Sequence, residues 1–203
     1  MTTRVVLLLV AVRMEEIVAE FTSFEPGVQV SGDAVRAFSE GFPAHMTAVG
    51  QGILLKHGIA NPGPGTFYLL QSFLDAMREI SERFGSQMLF RIGHEIARNA
   101  KLPPGMDLLE NCLKGIDTAY HMNHRGGSIG SYTVSSRETG SLMNAATIVC
   151  ANPYPCSFDR GVIEGFAQRF KPPDCIDIIV RHDDSQPCRK IGAKSCTYSV
   201  SWV

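Results

Sequence analysis

At 203 residues, with 44% hydrophobic and 19% charged side chains, the chain has the make-up of a globular protein and not of a disordered one. A formal net charge of −1, with no run of basic residues, leaves no electrostatic footprint for nucleic acid, so no nucleic-acid partner is expected. Six cysteines in a chain read as cytoplasmic point to reduced thiols or metal ligands before disulfides.

The apolar run at residues 5–12 follows Arg4 and is too short to span a bilayer. Arg13, Glu15 and Glu16 come next without a small-residue cleavage pattern, so the run reads as a first strand or buried helix, with no membrane span. It belongs to an N-terminal extension, residues 1–31. Residues 33–42 and 47–57 read as short helices, stopped by Pro43 and Gly58. The clearest helix is 67–84, where Phe67, Leu70, Phe73, Leu74, Met77, Ile80 and Phe84 recur at helical spacing before Gly85. Residues 87–100 repeat the pattern and run into a Pro-Pro-Gly stop at 103–105, and 107–121 carry Leu109, Leu113, Ile116 and Tyr120 on one face.

Beyond Gly127 the period changes. Residues 128–136 and 142–150 read as antiparallel strands joined through 137–140, and 158–170 as a helix ended by Pro172-Pro173. Residues 176–182 form a third strand. In the fourth, Cys196, Tyr198, Val200 and Trp202 alternate with Thr197, Ser199 and Ser201, which predicts that the first set is buried. The expectation is a single α+β domain, with a mainly helical part at 32–127 and a sheet-rich part at 128–203. Its N-terminal helices pack on one face of an antiparallel sheet of about four or five strands.

The sharpest local signal is Cys188-Arg-Lys-Ile-Gly192-Ala-Lys-Ser-Cys196-Thr-Tyr198, in which Gly192 can turn the chain so that both thiols approach one point. Upstream, Asn152-Pro-Tyr-Pro-Cys156 places a third thiol at a helix start. On the residues alone, a zinc site, packed apolar thiols and a redox disulfide all remain open.

The stretch from Ile129 to Trp202 resembles the 4-vinyl reductase-type domain, a relative of the haem nitric-oxide-binding and Golgi-trafficking folds. The resemblance implies a ligand-binding domain. In its phenol-sensing members it implies a zinc held by three cysteines and a glutamate, which here match Cys156, Cys188 and Cys196. Ser185 stands where that glutamate would be, and Asp184 is the expected substitute, with His182 or Asp183 as alternatives. Cys112, Cys150 and Cys175 are expected elsewhere as packed thiols.

A second cluster, from Tyr120 and His121 to His124 and Arg125, sits where helix gives way to sheet. Tyr120 and His121 are the candidate ligand-binding residues, set against the plainer reading of a helix C-terminus meeting its dipole. His94 reads as a core histidine, and with no motif around it the sequence speaks against haem. Walker, dinucleotide-binding and nucleophile-elbow motifs are absent, and no catalytic residue is assigned.

The function expected is a sensor or carrier domain for a small hydrophobic or aromatic molecule, more a binding module than an enzyme, with a cysteine cluster for structural zinc. Its output would pass to an effector protein in trans or through a homodimer. The alternatives are a tetrapyrrole-related enzyme or subunit, as the resemblance implies, and a haem or gas sensor.

Overall fold

The computed structural model describes residues 19–100, 106, 108–138 and 144–203. The apolar run at 5–12, the stop at 103–105 and the tip of the hairpin at 139–140 lie outside them.

Three short antiparallel strands, β1 (Gln29–Ser31), β2 (Phe67–Leu69) and β3 (His124–Arg125), form a small sheet in the order β2-β1-β3. Little in the sequence marks it, because strands of two or three residues are too short to display a period. Helical spacing places Phe67–Leu69 in the first turn of a helix. The segment pairs instead with β1, Tyr68 opposite Val30, and the helix proper begins at Leu70.

The helices follow the expected order: α1 (Gly32–Glu40), α2 (Thr47–Lys56), α3 (Leu70–Phe84), α4 (Ser86–Asn99), α5 (Leu109–Asn123) and α6 (Cys156–Arg169). Helix α1 is capped locally, the Ser31 hydroxyl accepting from the Ala34 N–H at 3.1 Å. A four-stranded antiparallel sheet takes β4 (Ser131–Glu138), β5 (Asn144–Ala151), β6 (Ile178–His182) and β7 (Cys196–Trp202) in the order β4-β5-β7-β6. Strand β7 buries Cys196, Tyr198, Val200 and Trp202 and turns Thr197, Ser199 and Ser201 outward, as the alternation requires. Its registers place Tyr198 between Ile148 of β5 and His182 of β6.

The pairing that most shapes the molecule is α4 on α6. Their backbones meet through glycines: a Cβ at Gly93 would lie 2.5 Å from the Phe158 carbonyl, and one at Gly161 would collide with the Phe90 carbonyl. No side chain fits between the helices at those points, so α6 is pinned against α4 and its first turn faces the β6–β7 connection. Among the described residues no helix is long and apolar enough to cross a membrane.

Candidate metal centre and the polar core beneath it

Four elements deliver the cluster. Cys156 is the first residue of α6, following the Asn152–Pro155 loop, and Cys196 opens β7. Cys188 precedes a 3-10 turn (Arg189–Ile191) that Gly192, at φ 83°, reverses so that the Ala193 N–H returns to the Cys188 carbonyl at 3.1 Å. His182 ends β6, and pairing with Tyr198 carries its ring toward Cys196. The three sulfurs lie 2.9 Å (Cys156–Cys196), 3.5 Å (Cys156–Cys188) and 3.7 Å (Cys188–Cys196) apart. With one ring nitrogen of His182 they form a set of four ligand atoms all within 4.8 Å of one another.

The fourth member is therefore His182. Asp184, the expected one, stands behind it: its carboxylate is 94% exposed and meets His182 Nδ1 at 2.7 Å. The reason is the register of β6, which aims the imidazole inward and leaves the next two residues on the surface turn. His182 Nε2 is buried and has no hydrogen-bond partner among the described residues.

The sulfurs share charge unequally. The hydrogen bond with Cys156, with help from the Arg189 guanidinium and its backbone N–H at 3.4 Å, holds the Cys196 thiol below its ordinary range. The same bond, burial and the nearby Glu20 carboxylate push Cys156 up, so the shared proton rests there.

Beneath the cluster lies a polar core. Arg189 and Asp159 are both fully buried and pair at 2.5 Å. Arg189 also donates to the backbone and side-chain oxygens of Asn152, and the Tyr132 hydroxyl donates to Asp159 at 2.6 Å. Burial pushes the Asp159 carboxyl up while Arg189 and Tyr132 pull against it. For Arg189 burial opposes the charge, and Asp159 outweighs it. The Glu20 carboxylate accepts the Cys156 N–H at 2.7 Å, and the segment bearing it is tied down by Ala19 N–H to the Arg189 carbonyl and Phe21 N–H to that of Pro153, both at 2.9 Å.

Cys112, Cys150 and Cys175 are free and lie outside the cluster. Tyr120 is buried, its hydroxyl donating to the Ile129 carbonyl, whereas His121 is 48% exposed and contacts Asp117. One step along α5 turns a side chain by about 100°, so both cannot face the core. The imidazole that does is His124. Its Nδ1 meets the Tyr120 carbonyl and its Nε2 the Tyr154 hydroxyl, both at 2.7 Å, and burial holds it down to about 4. Glu20 and Asp159 carry no sequence signal, and Arg189 stands beside Lys190 in an ordinary basic pair. A charged residue inside a Cys…Cys turn, such as Arg189, is the one that invites a question.

Clefts among the described residues open to solvent. One, about 560 Å³, runs beside the cluster and is lined by Cys156, Cys188, Ser157, Arg160, Gln186 and Lys190 among others. The other, about 410 Å³, lies between α4 and α6 and is lined by His94, Arg98, Glu164, Gln168 and Arg169.

No family model matches the sequence, and no curated protein matches it. Solved structures do. An oxygen-binding H-NOX domain related to soluble guanylate cyclases is 14% identical with a TM-score of 0.56, over 85% of this chain and 93% of that one. A second, from work on the molecular mechanism of H-NOX activation, is 15% identical with a TM-score of 0.52, over 85% and 95%. A third, from work on haem redox potential and protein-induced porphyrin distortion, is 13% identical with a TM-score of 0.54, over 85% and 98%. These neighbours overturn the expectation against haem, which rested on the lack of a motif around His94 and took no account of fold: chains of this architecture were solved in work on haem redox potential and on haem distortion. At such identities the likeness is one of fold, and the fold of this chain is that of the H-NOX domains.

Proposed function

We propose that the chain is a small-molecule sensor domain on the H-NOX fold, with its sheet end stapled by zinc held by Cys156, His182, Cys188 and Cys196. The observation that carries the metal is the buried, unpartnered His182 Nε2 beside three sulfurs, with Asp184 fixing the other ring nitrogen. A carboxylate behind a ligating imidazole is a recurrent support for zinc. Three thiolates and a neutral imidazole fill a tetrahedral shell, so the ion braces the fold and offers no open position for a substrate. The set also accounts for Ser185, since the imidazole replaces the glutamate that the 4-vinyl reductase-type pattern would supply. Metal analysis of the purified chain is expected to give one zinc. His182→Ala abolishes it, and Asp184→Asn weakens binding by about 10–100-fold. A chain of native stability that takes up no zinc defeats the reading.

For the sensed molecule, the fold likeness supports haem and a gas above a free aromatic ligand. Of the imidazoles near the helices, His124 has both nitrogens engaged, His57 meets Glu79 and His121 meets Asp117. His94 lines the α4–α6 groove with Arg98, Glu164, Gln168 and Arg169, where Arg98 pairs with Glu95 and Arg169 donates to the Ala97 and Ala100 carbonyls. Haem, where bound, would supply an iron able to take a diatomic gas, but the polar groove at His94, between helices in backbone contact, does not fit a porphyrin, and no residue is assigned to hold it. A Soret band after haem addition is the expected result. No band, together with tight binding of a phenol, would return the reading to an aromatic sensor. In either case the output passes to an effector protein or through a homodimer.

A further inference from the structure

We infer that the outer edge of strand β6 is a homodimer interface, at which β6 pairs antiparallel with β6 of a second copy about Ile179. The inference rests on the homodimer half of the sensor reading and supplies its contact surface.

Strand β6 ends the order β4-β5-β7-β6, so only one of its edges is paired within the chain. The Asp183 N–H donates to the Thr197 carbonyl at 2.8 Å, and the Val203 N–H to the Asp177 carbonyl at 3.2 Å. In an antiparallel pair such bonds fall at every second residue. Ile179 and Arg181 therefore also face β7, while the backbone groups of Ile178, Val180 and His182 point away from it. Among the described residues, the outward donor that finds a partner is the Ile178 N–H, held by the Asp177 carboxylate at 2.8 Å. The opposite edge of the sheet is closed differently, since Asp117 of α5 accepts the Tyr132 N–H of β4 at 2.7 Å. Edges that stay single are commonly blunted by lysine or proline, and Ile178–His182 contains neither.

The side chains select the occupant and the register. Asp177, Ile179 and Arg181 stand exposed in a row on the outer face of the sheet, and Arg181 makes no ion pair among the described residues. Pairing about Ile179 sets Ile178 against Val180 of the second copy, where each exchanges N–H and carbonyl groups with the other. It brings the two Ile179 side chains together and sets Asp177 against Arg181 on both sides of the two-fold axis. The Asp177 carboxylate yields the Ile178 N–H to the Val180 carbonyl of the second copy and turns to the guanidinium. Pairing about Val180 would instead oppose Asp177 to Asp183, like against like, which disfavours it. An acid, an apolar residue and a base in alternate positions are complementary to themselves when reversed, so the surface fits a second copy of this chain.

The test is sedimentation velocity of the full chain over a concentration series, where a reversible monomer–dimer equilibrium is expected. Arg181→Asp and Asp177→Arg each oppose like charges twice and should weaken the dimer at least about tenfold, whereas the double exchange should recover it to within about threefold. Misfolding cannot imitate that rescue, and all three variants keep every cysteine and histidine. Ile179→Cys should also yield a dimer linked through position 179 on mild oxidation, because a central pair without mutual hydrogen bonds holds its Cβ atoms about 4.5–5.5 Å apart. A monomer at every concentration overturns the inference and leaves the sensor reading with an effector protein as its output. A dimer indifferent to both reversals, or one lost in both and not regained in the double exchange, overturns the interface and leaves the homodimer reading standing.

Discussion

Between α1 and α4 the interior is made of Val35, Phe38, Leu74, Met77, Ile80, Leu89 and Ile92, all without solvent contact. At the start of α6 the interior instead holds Glu20, Asn152, Asp159 and Arg189, nearly as dry. The first region is stabilised by apolar area removed from water, and its members can be exchanged for others of like volume. The second depends on pairing. Arg189 and Asp159 are tolerable there because each is placed against the other, and Glu20 because it accepts the Cys156 N–H, so stability resides in partners and not in single residues.

The largest expected effect breaks that partnership. Arg189→Met leaves the Asp159 carboxylate buried without its cation and should cost roughly 3–5 kcal/mol by chemical denaturation. Replacing both residues with apolar ones should cost much less. If the single and double variants are equally unstable, the pairing argument fails.

Next in size is a pH effect at the boundary between the two regions. His124 is neutral in the fold, its titration held down to about 4 from an ordinary 6.5. As pH falls from about 6.5 toward 4, the unfolded chain takes up a proton there that the folded chain refuses, so stability declines, by roughly 3 kcal/mol across the window. Denaturation midpoints measured over that range should fall, and His124→Phe should flatten the curve. A slope that survives the substitution would place the titration elsewhere.

The smallest effect concerns the apolar region's join to α6. Gly161→Ala sets a methyl against the Phe90 carbonyl and should cost about 1–3 kcal/mol as α4 and α6 part. Because α6 presents Cys156, the same variant should also weaken zinc binding. Unchanged affinity would show the two regions to be uncoupled.

The contrast also explains what could be read in advance. Helices α3 to α5 and strand β7 announce themselves through period, since apolar burial leaves a regular trace along the chain. The three cysteines are visible as Cys…Gly…Cys plus a helix-start thiol, and they do converge. The expected fourth member lies two residues from the observed one, because whether 182 or 184 faces inward depends on the pairing of β6 with β7, a long-range property. Glu20 and the Asp159–Arg189 pair are invisible for the same reason: a buried ion pair is two ordinary charges until the fold brings them together. The small sheet escapes because its strands are shorter than one alternation cycle can establish.

Glu20 has one more consequence, and it is kinetic. Helix α1 is closed by its own neighbour Ser31, whereas the first turn of α6 is closed by a carboxylate 136 positions away. Joining such distant points costs loop entropy that no local contact repays in advance, which sets this cap among the later steps of assembly. The Cys156 amide is thus a natural clock for folding. Its hydrogen exchange during refolding should slow only after the amides inside α3 and α4 are already protected.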